Sequence, residues 1–376
     1  MKTRAKKIVI VAPVHRWDDV RVFSKEARSL RAGGYDVELI ARTSESGVKE
    51  GVKVVPPLGL YGNRLFRFIS LPLVALQALR MRGDFYHLHN PDSIVIGLFL
   101  ALLRKKIVYD THEDFRKRIL IRGWIPEPFR KPLASIVDFA ERGLARFSKC
   151  SIATQSDVAA RLGPNAMVIA NAVRHDREML DRVKRKARRV RDQCDAFRLV
   201  YIGGVTLSRG LQEMVEALEF INEEFECRLW LIGPANENDL ALVKEKKGWG
   251  YVEYKPRMPQ EEAFSYVAAS DVGLIYLRDE GGHAETDENK IYEYMMLGVP
   301  FVASDFPAWR ANLSNVGAGV FLEPGSPLTL AKGVLELQEV GCAGRQDMAS
   351  NGYEFILRNN WEREEKKLIK IYSEVW

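Results

Sequence analysis

The stretch Glu285-Thr-Asp-Glu-Asn-Lys-Ile-Tyr-Glu293, running on through Tyr294-Met-Met-Leu-Gly-Val-Pro300 into Phe301-Val-Ala-Ser304, decides the fold. A charged loop over 279–287 leads into a helix over about 288–297, which Gly298 closes and Pro300 stops, and the apolar 301–304 reads as the next strand. In an open α/β sheet ligands sit where strand carboxyl ends meet helix amino ends, because unpaired backbone N–H groups and the helix dipole favour phosphate there. Lys290 adds a full positive charge at that end. Glu293, one turn further in, suits the two hydroxyls of a ribose, since a carboxylate accepts two hydrogen bonds at once. Glu285 lies in the loop ahead, placed to touch a sugar. Any two carboxylates are more often merely solvated, and here it is the whole string that outweighs that meaning.

Outward from this string the chain alternates strands and helices. Lys7-Ile-Val-Ile-Val-Ala12 is a β-branched run of the kind found in parallel strands covered on both faces, followed by a helix over 20–32 closed by Gly33-Gly34 and a strand over 36–41. Further strands are read at 85–88 and 107–110, with a helix over 94–103 between them that Asp92 is placed to cap. A helix over 133–146, a strand over 150–154 and the segment 167–170 complete the first half. A second alternation begins at Arg198-Leu-Val-Tyr-Ile-Gly-Gly204 and runs through helix 211–224, strands 228–232 and 251–254, helix 261–269 and strand 272–276 to the Glu293 helix. Two doubly wound, Rossmann-like α/β domains facing a cleft are therefore expected. Their boundaries are read as 1–172 for an acceptor domain, 173–196 for a basic linker, 197–352 for a donor domain and 353–376 for a last helix.

A chain of 376 residues with 47% hydrophobic content comfortably makes two such cores. Cys150, Cys194, Cys227 and Cys342 are widely spaced, with no Cys-x2-Cys pair and nothing resembling a cleavable signal, which points to a reducing cytoplasm and no structural zinc. The formal net charge of +6 suits partners that carry phosphate: a nucleotide donor, anionic lipid or nucleic acid. The longest apolar run, 94–103, falls well short of the roughly 20 residues needed to span a bilayer.

The Glu-x7-Glu spacing, the Asn-Lys ahead of the second Glu and the tail Gly298-Val-Pro-Phe-Val-Ala-Ser-Asp-Phe-Pro307 resemble the retaining glycosyltransferases of the two-domain GT-B fold, family 4 type. That resemblance covers nearly the whole chain. It implies an enzyme of hexosyltransferase type that moves a sugar from a nucleoside-diphosphate sugar (UDP or GDP) to an acceptor hydroxyl of a glycan or lipid-linked acceptor. It implies Glu293 at the ribose, Glu285 at the donor sugar and Lys290 near the diphosphate. The turn Tyr201-Ile-Gly-Gly-Val-Thr-Leu-Ser-Arg-Gly-Leu211 lets the N–H groups of Gly203 and Gly204 approach a phosphate closely. The family usually places Arg after the first of these glycines and Lys five residues later; here Arg209 stands at the Lys position and Gly204 replaces the Arg. The string Val108-Tyr-Asp-Thr-His-Glu113 puts His112 just past a strand end and resembles the family's donor-sugar histidine. In the loop after the first strand, Asp19 and Arg21 resemble a subgroup with Asp-x-Arg. Acceptor contacts by His15, Asp19 or Arg21 stand there beside helix capping by Asp18 or Asp19. The last helix, over 353–375 with Trp361-Glu362, resembles one that crosses back onto the first domain.

No cofactor and no metal are expected, the donor sugar being a substrate. His87-x-His89 puts two imidazoles on one strand face, but no third ligand of suitable spacing follows, and there is no Asp-x-Asp triplet to hold a metal-bound diphosphate. The segments 64–82 and 115–129 combine basic and bulky apolar residues, a pattern that can rest on anionic lipid, although Pro72 argues against one uninterrupted helix. A cytoplasmic protein, peripheral on the inner face of the membrane, is expected. Two other functions remain open at this stage. One is a nucleotide-sugar epimerase of similar architecture; the other is a nucleic-acid-binding protein using the seven Lys or Arg among residues 182–191, although a solvated connector, which could be helical, is the plainer meaning of that run and no nucleic acid is expected.

Overall fold

The structure, a computed structural model, describes residues 4–59, 64–123, 125–192, 196–280, 282–285 and 288–374. The chain divides into two compact units, Met1–Asn171 with Trp361–Trp376, and Ala172–Asn360.

The first unit is built on an eight-stranded sheet. Its strands are β1 (Lys7–Arg16), β2 (Asp36–Arg42), β3 (Gly47–Lys49), β4 (Val52–Val55), β5 (Phe85–His89), β6 (Ile107–Thr111), β7 (Cys150–Ala153) and β8 (Ala166–Val168). Their order is β3-β4-β2-β1-β5-β6-β7-β8, parallel except for β3 against β4. The run read from sequence as a doubly covered strand behaves as one: Ile8 through Ala12 are wholly buried, with Ile8, Ile10 and Ala12 in one core and Val9 and Val11 in the other. Each of the Ile and Val side chains among them, removed from water, contributes about 1.5–3 kcal/mol, which makes β1 the spine of the unit. The core of Ile8 is closed by the last helix, Trp361–Glu374, through Trp361, Leu368, Ile371 and Tyr372, and Trp361 Nε1 donates to Ser29 Oγ at 2.9 Å.

The second unit carries β9 (Phe197–Ile202), β10 (Cys227–Ile232), β11 (Val252–Lys255), β12 (Val272–Ile275), β13 (Phe301–Ser304) and β14 (Gly319–Leu322), all parallel in the order β11-β10-β9-β12-β13-β14. The chain leaves β9 toward β10 and β11, then returns to β12 on its other side. β9 and β12 therefore flank the point where the strand order reverses, the place where an open α/β sheet binds its ligand.

Several expectations need correction. The connector, which could be helical, is the helix Arg177–Arg191, yet it is not solvated all round: Leu180, Val183 and Ala187 are buried within the second unit, Arg182 and Lys186 pair with Glu261, and Arg191 with Asp271. Part of the basic run is thus engaged by the chain's own carboxylates. The single helix read over 353–375 is two, Gly341–Arg358 and Trp361–Glu374, and the chain passes to the first unit at Asn360–Trp361. Pro72 does not break its helix, Arg64–Arg80. Its missing N–H would have faced the carbonyl of Phe68, and both residues are exposed, so water can satisfy that carbonyl. Asp92 caps nothing: a short turn Pro91–Ser93 precedes the helix Ile94–Leu102, with no side-chain cap. The helix after β1 starts as a wider π-helix, Val20–Ala27, before the α-helical Arg28–Ala32.

Gly210 is the tightest joint of the second unit. It opens the helix Leu211–Glu224 at φ +75°, and a Cβ built on it would lie 1.8 Å from the Tyr276 carbonyl oxygen at the end of β12. Left-handed strain and this backbone clash together should make Gly210→Ala cost about 2 kcal/mol or more. A thermal midpoint lowered by several degrees is expected, and an unchanged midpoint would contradict the close approach of the two loops.

Candidate active site

At the switch point of the second sheet, the turn after β9 meets the helix Asn289–Leu297. Gly203, at φ +145°, lies so close to that helix that a Cβ on it would sit 2.5 Å from Lys290 Cε. Arg209 folds back over the same turn, its Nε 3.7 Å from where a Gly204 Cβ would be. Lys290 Nζ is 2.5 Å from Glu288 Oε1, and Arg209 Nη1 is 3.8 Å from Glu288 Oε2. One carboxylate therefore bridges two cations that come from segments far apart in sequence. Tyr201 seals the floor: its hydroxyl donates to the Gly204 carbonyl at 2.9 Å, and burial pushes its phenol up to about 12 against the lowering effect of Arg209. The loop after β12 is fixed by Arg278, whose Nε lies 2.6 Å from the buried Glu213.

Of the residues singled out from sequence here, Gly203, Gly204, Arg209 and Lys290 come together. Glu293 lies half-buried one turn along the same helix. Glu285 ends the short turn His283–Glu285, and its carboxylate lies outside the described residues. Sequence reading missed Glu288, although it stands within the quoted string, because a carboxylate between two cations expected to meet phosphate looks like the wrong charge. Nor does any spacing rule point to the Arg278–Glu213 pair.

In the first unit, the loops after β1, β5 and β6 meet at the corresponding reversal between β1 and β5. His112 follows β6 directly, with 14% of its side chain exposed, and its Nε2 lies 3.0 Å from His89 Nδ1 and 3.4 Å from Asp110 Oδ1. Its backbone N–H donates to Asn90 Oδ1 at 3.3 Å, while His15 Nε2 meets Asn90 Nδ2 at 3.2 Å. Burial holds the imidazoles of His89 and His112 well below their ordinary pKa, so both are neutral at neutral pH. Burial resists ionisation of Asp110, yet Arg21 and the surrounding imidazoles hold it well below the usual carboxylate range. Glu26 is raised well above that range by burial and by Asp110.

Two acceptor readings change. Arg21 does not face solvent: it is buried, with Nη1 donating to the Ile169 carbonyl at 3.2 Å, Nη2 to Asp110 at 3.2 Å, and Nε 2.9 Å from Glu26. Asp19 serves as helix cap, accepting from the N–H groups of Arg21 and Val22 at 3.0 and 2.9 Å, the alternative left open from sequence. The π-helical start places Arg21 and Glu26 side by side in the interior, which an α-helical reading of the same residues does not foresee.

Comparisons with known proteins fit this layout. A family profile described as Glycosyl transferases group 1 matches residues 196–339, and one described as Glycosyltransferase Family 4 matches residues 20–177. A phosphatidyl-myo-inositol mannosyltransferase of Mycobacterium leprae is 24% identical over 366 residues, covering 93% of this chain and 91% of the relative. Among solved structures, a sucrose-phosphate synthase from Thermosynechococcus elongatus superposes with a TM-score of 0.77 at 16% identity, over 98% of this chain and 99% of the other. WaaG, a glycosyltransferase of lipopolysaccharide biosynthesis, superposes at 0.73 and 13% identity over 98% and 100%. Anabaena Alr3699/HepE in complex with UDP does so at 0.69 and 15% identity over 98% and 99%. With one profile on each α/β unit and the GT-B fold common to both, the chain belongs to the family 4-type, group 1 glycosyltransferases.

Proposed function

We propose that the enzyme is a retaining glycosyltransferase that uses a nucleoside-diphosphate sugar and that its diphosphate lies on the Gly203–Gly204 turn between Arg209 and Lys290. The observation that carries this reading is the shared carboxylate. Two cations of separate segments share the Glu288 carboxylate at a strand-end glycine turn, so an incoming diphosphate offers both a stronger anionic partner. The amino end of the helix Leu211–Glu224 and the N–H groups of the turn add favourable dipoles. Glu293 would take the ribose hydroxyls. UDP in the HepE complexes is consistent with such a donor.

In the reaction the acceptor oxygen bonds to the anomeric carbon on the face from which the diphosphate departs, the carbon–oxygen bond to phosphate breaks, and the hydroxyl proton passes to the leaving phosphate. Charge grows on the diphosphate at that moment, and Arg209 and Lys290 are placed to stabilise it without an added metal ion. Contacts of Glu285 and His112 with the donor sugar rest on the family resemblance. Removal of one such cation, in Arg209→Ala or Lys290→Ala, should lower kcat/KM for the donor by about 10²–10³. Glu293→Gln should weaken donor binding by about 1.5–3 kcal/mol. Thermal shift against UDP, GDP and ADP selects the nucleotide for this assay, because binding to the folded state raises the midpoint. Turnover unchanged in both cation variants, or turnover that needs added Mg²⁺ or Mn²⁺, contradicts the reading.

The acceptor is proposed to be lipid-linked and reached from an anionic membrane surface. The helices Arg64–Arg80, Ile94–Leu102 and Glu127–Phe147 are neighbours on one side of the first sheet, and they leave Phe68, Ile69, Leu102, Ile136, Phe139 and Phe147 exposed, Phe139 to 81%. Arg80, Arg104, Lys105, Lys131, Arg142 and Arg146 are exposed on or just beyond these helices. Apolar side chains among Lys and Arg suit the boundary of an anionic bilayer, and no described helix is long and apolar enough to cross one. The relative acting on phosphatidyl-myo-inositol is consistent with such an acceptor. In flotation the protein should rise with anionic vesicles and not with neutral ones, and Ile136→Glu with Phe139→Glu should abolish this. Failure of the unaltered protein to float with anionic vesicles would remove the proposal.

A further inference from the structure

The first unit buries a set of donor atoms that the transfer reaction does not use. His87 and His89 on β5, Asp110 on β6 and Glu26 on the helix after β1 are fully buried, and one donor atom of each lies within 4.8 Å of the other three. His87 Nε2 is 3.5 Å from Glu26 Oε2 and 3.5 Å from Asp110 Oδ2, and His89 Nε2 is 3.3 Å from Glu26 Oε2. These separations are long for hydrogen bonds, and neither Nε2 atom nor either Glu26 oxygen makes a hydrogen bond of acceptable geometry. Three of the six separations in the set are thus near those of a zinc site, whose donors, about 2.0–2.1 Å from the ion, stand about 3.3–3.4 Å from one another.

Both imidazoles are already turned for this task. His87 Nδ1 meets the Tyr372 hydroxyl at 2.8 Å and His89 Nδ1 meets His112 Nε2 at 3.0 Å, so the outer nitrogen of each ring is engaged and the inner one is aimed at the carboxylates. Arg21, 2.9 Å from Glu26 and 3.2 Å from Asp110, offsets one of the two buried negative charges. The other needs a proton or a cation.

We propose that Glu26, His87, His89 and Asp110 bind one divalent transition metal, Zn²⁺ by donor type and spacing, as a closed structural site that ties β5, β6 and the helix after β1 together. The metal absence expected from His87-x-His89 rested on the lack of a third ligand in sequence and on similar His-rich strand ends in the family; the fold supplies Glu26 from upstream and Asp110 from the neighbouring strand. None of the four ligands belongs to the second unit or to the residues proposed to hold the donor, although His89 rests on His112.

The test is elemental analysis of the untagged full chain purified without chelator, followed by removal of metal and titration with Co²⁺. About one equivalent of Zn²⁺ per chain and the intense visible bands of tetrahedral Co²⁺ are expected. Glu26→Gln and His89→Gln should each reduce occupancy at least tenfold. Should those variants not fold, Tyr372→Phe, which removes only the outer partner of His87, should weaken Co²⁺ binding by about 10–100-fold. Less than about a tenth of an equivalent with no tetrahedral Co²⁺ signal overturns the proposal. So does wild-type metal content in a folded Glu26→Gln protein, or unchanged Co²⁺ affinity in Tyr372→Phe.

Discussion

The organising constraint of the second unit is the contact between a glycine turn and a lysine. Gly203 has no side chain, at a φ that other residues avoid, and Lys290 lies in the space a Cβ would need. That contact brings the end of β9 against the start of the helix Asn289–Leu297, and the cation set follows from it. Arg209 enters because the turn continues into Gly210, whose own lack of a Cβ lets the chain pass under the Tyr276 carbonyl. Two positive charges gathered this way repel one another unless an anion lies between them, and Glu288 supplies it. The unit is thus poised electrostatically for an anion while remaining stable without one.

The first unit solves a different problem at the matching position. Its sheet reversal is lined by histidines and carboxylates out of contact with water, an arrangement that costs stability unless every charge has a partner. Arg21 provides one partner, and the wider turn at the start of its helix brings Glu26 alongside. Tyr372 closes the set from the last helix. The C-terminal segment is therefore more than a cover for apolar strands, since its one buried hydroxyl orients a histidine at the centre of the unit.

Sequence showed the frame of this molecule well and its polar interior poorly, for identifiable reasons. Strands such as β1 and β13 announce themselves because burial on both faces demands unbroken apolar runs. The helix ends at Gly298 and Gly33-Gly34 were readable because a left-handed or flexible residue is required there. Gly203, Gly204, Arg209 and Lys290 could be named because a turn between strand and helix is local. By contrast Arg21 was read as a candidate acceptor contact: nothing in its neighbourhood along the chain reveals Asp110 and Glu26 closing around it, or the π-helical geometry that points it inward. The chain around His87-x-His89 likewise does not reveal Glu26 and Asp110 beside it, since tertiary contact brings them there. The basic run at 182–191 misled in the other direction, since an amphipathic helix whose apolar stripe is only Leu180, Val183 and Ala187 looks from its composition like a solvated linker.

The central claim is that a diphosphate takes the place between Arg209 and Lys290 that Glu288 holds in its absence. A crystal structure with the nucleoside diphosphate selected by thermal shift tests it most directly. The account predicts phosphate oxygens at hydrogen-bond distance from the Gly203–Gly204 turn, the Arg209 guanidinium and Lys290 Nζ, with the ribose on Glu293. A nucleotide bound elsewhere, or both cations still on Glu288 with no phosphate contact, would contradict it.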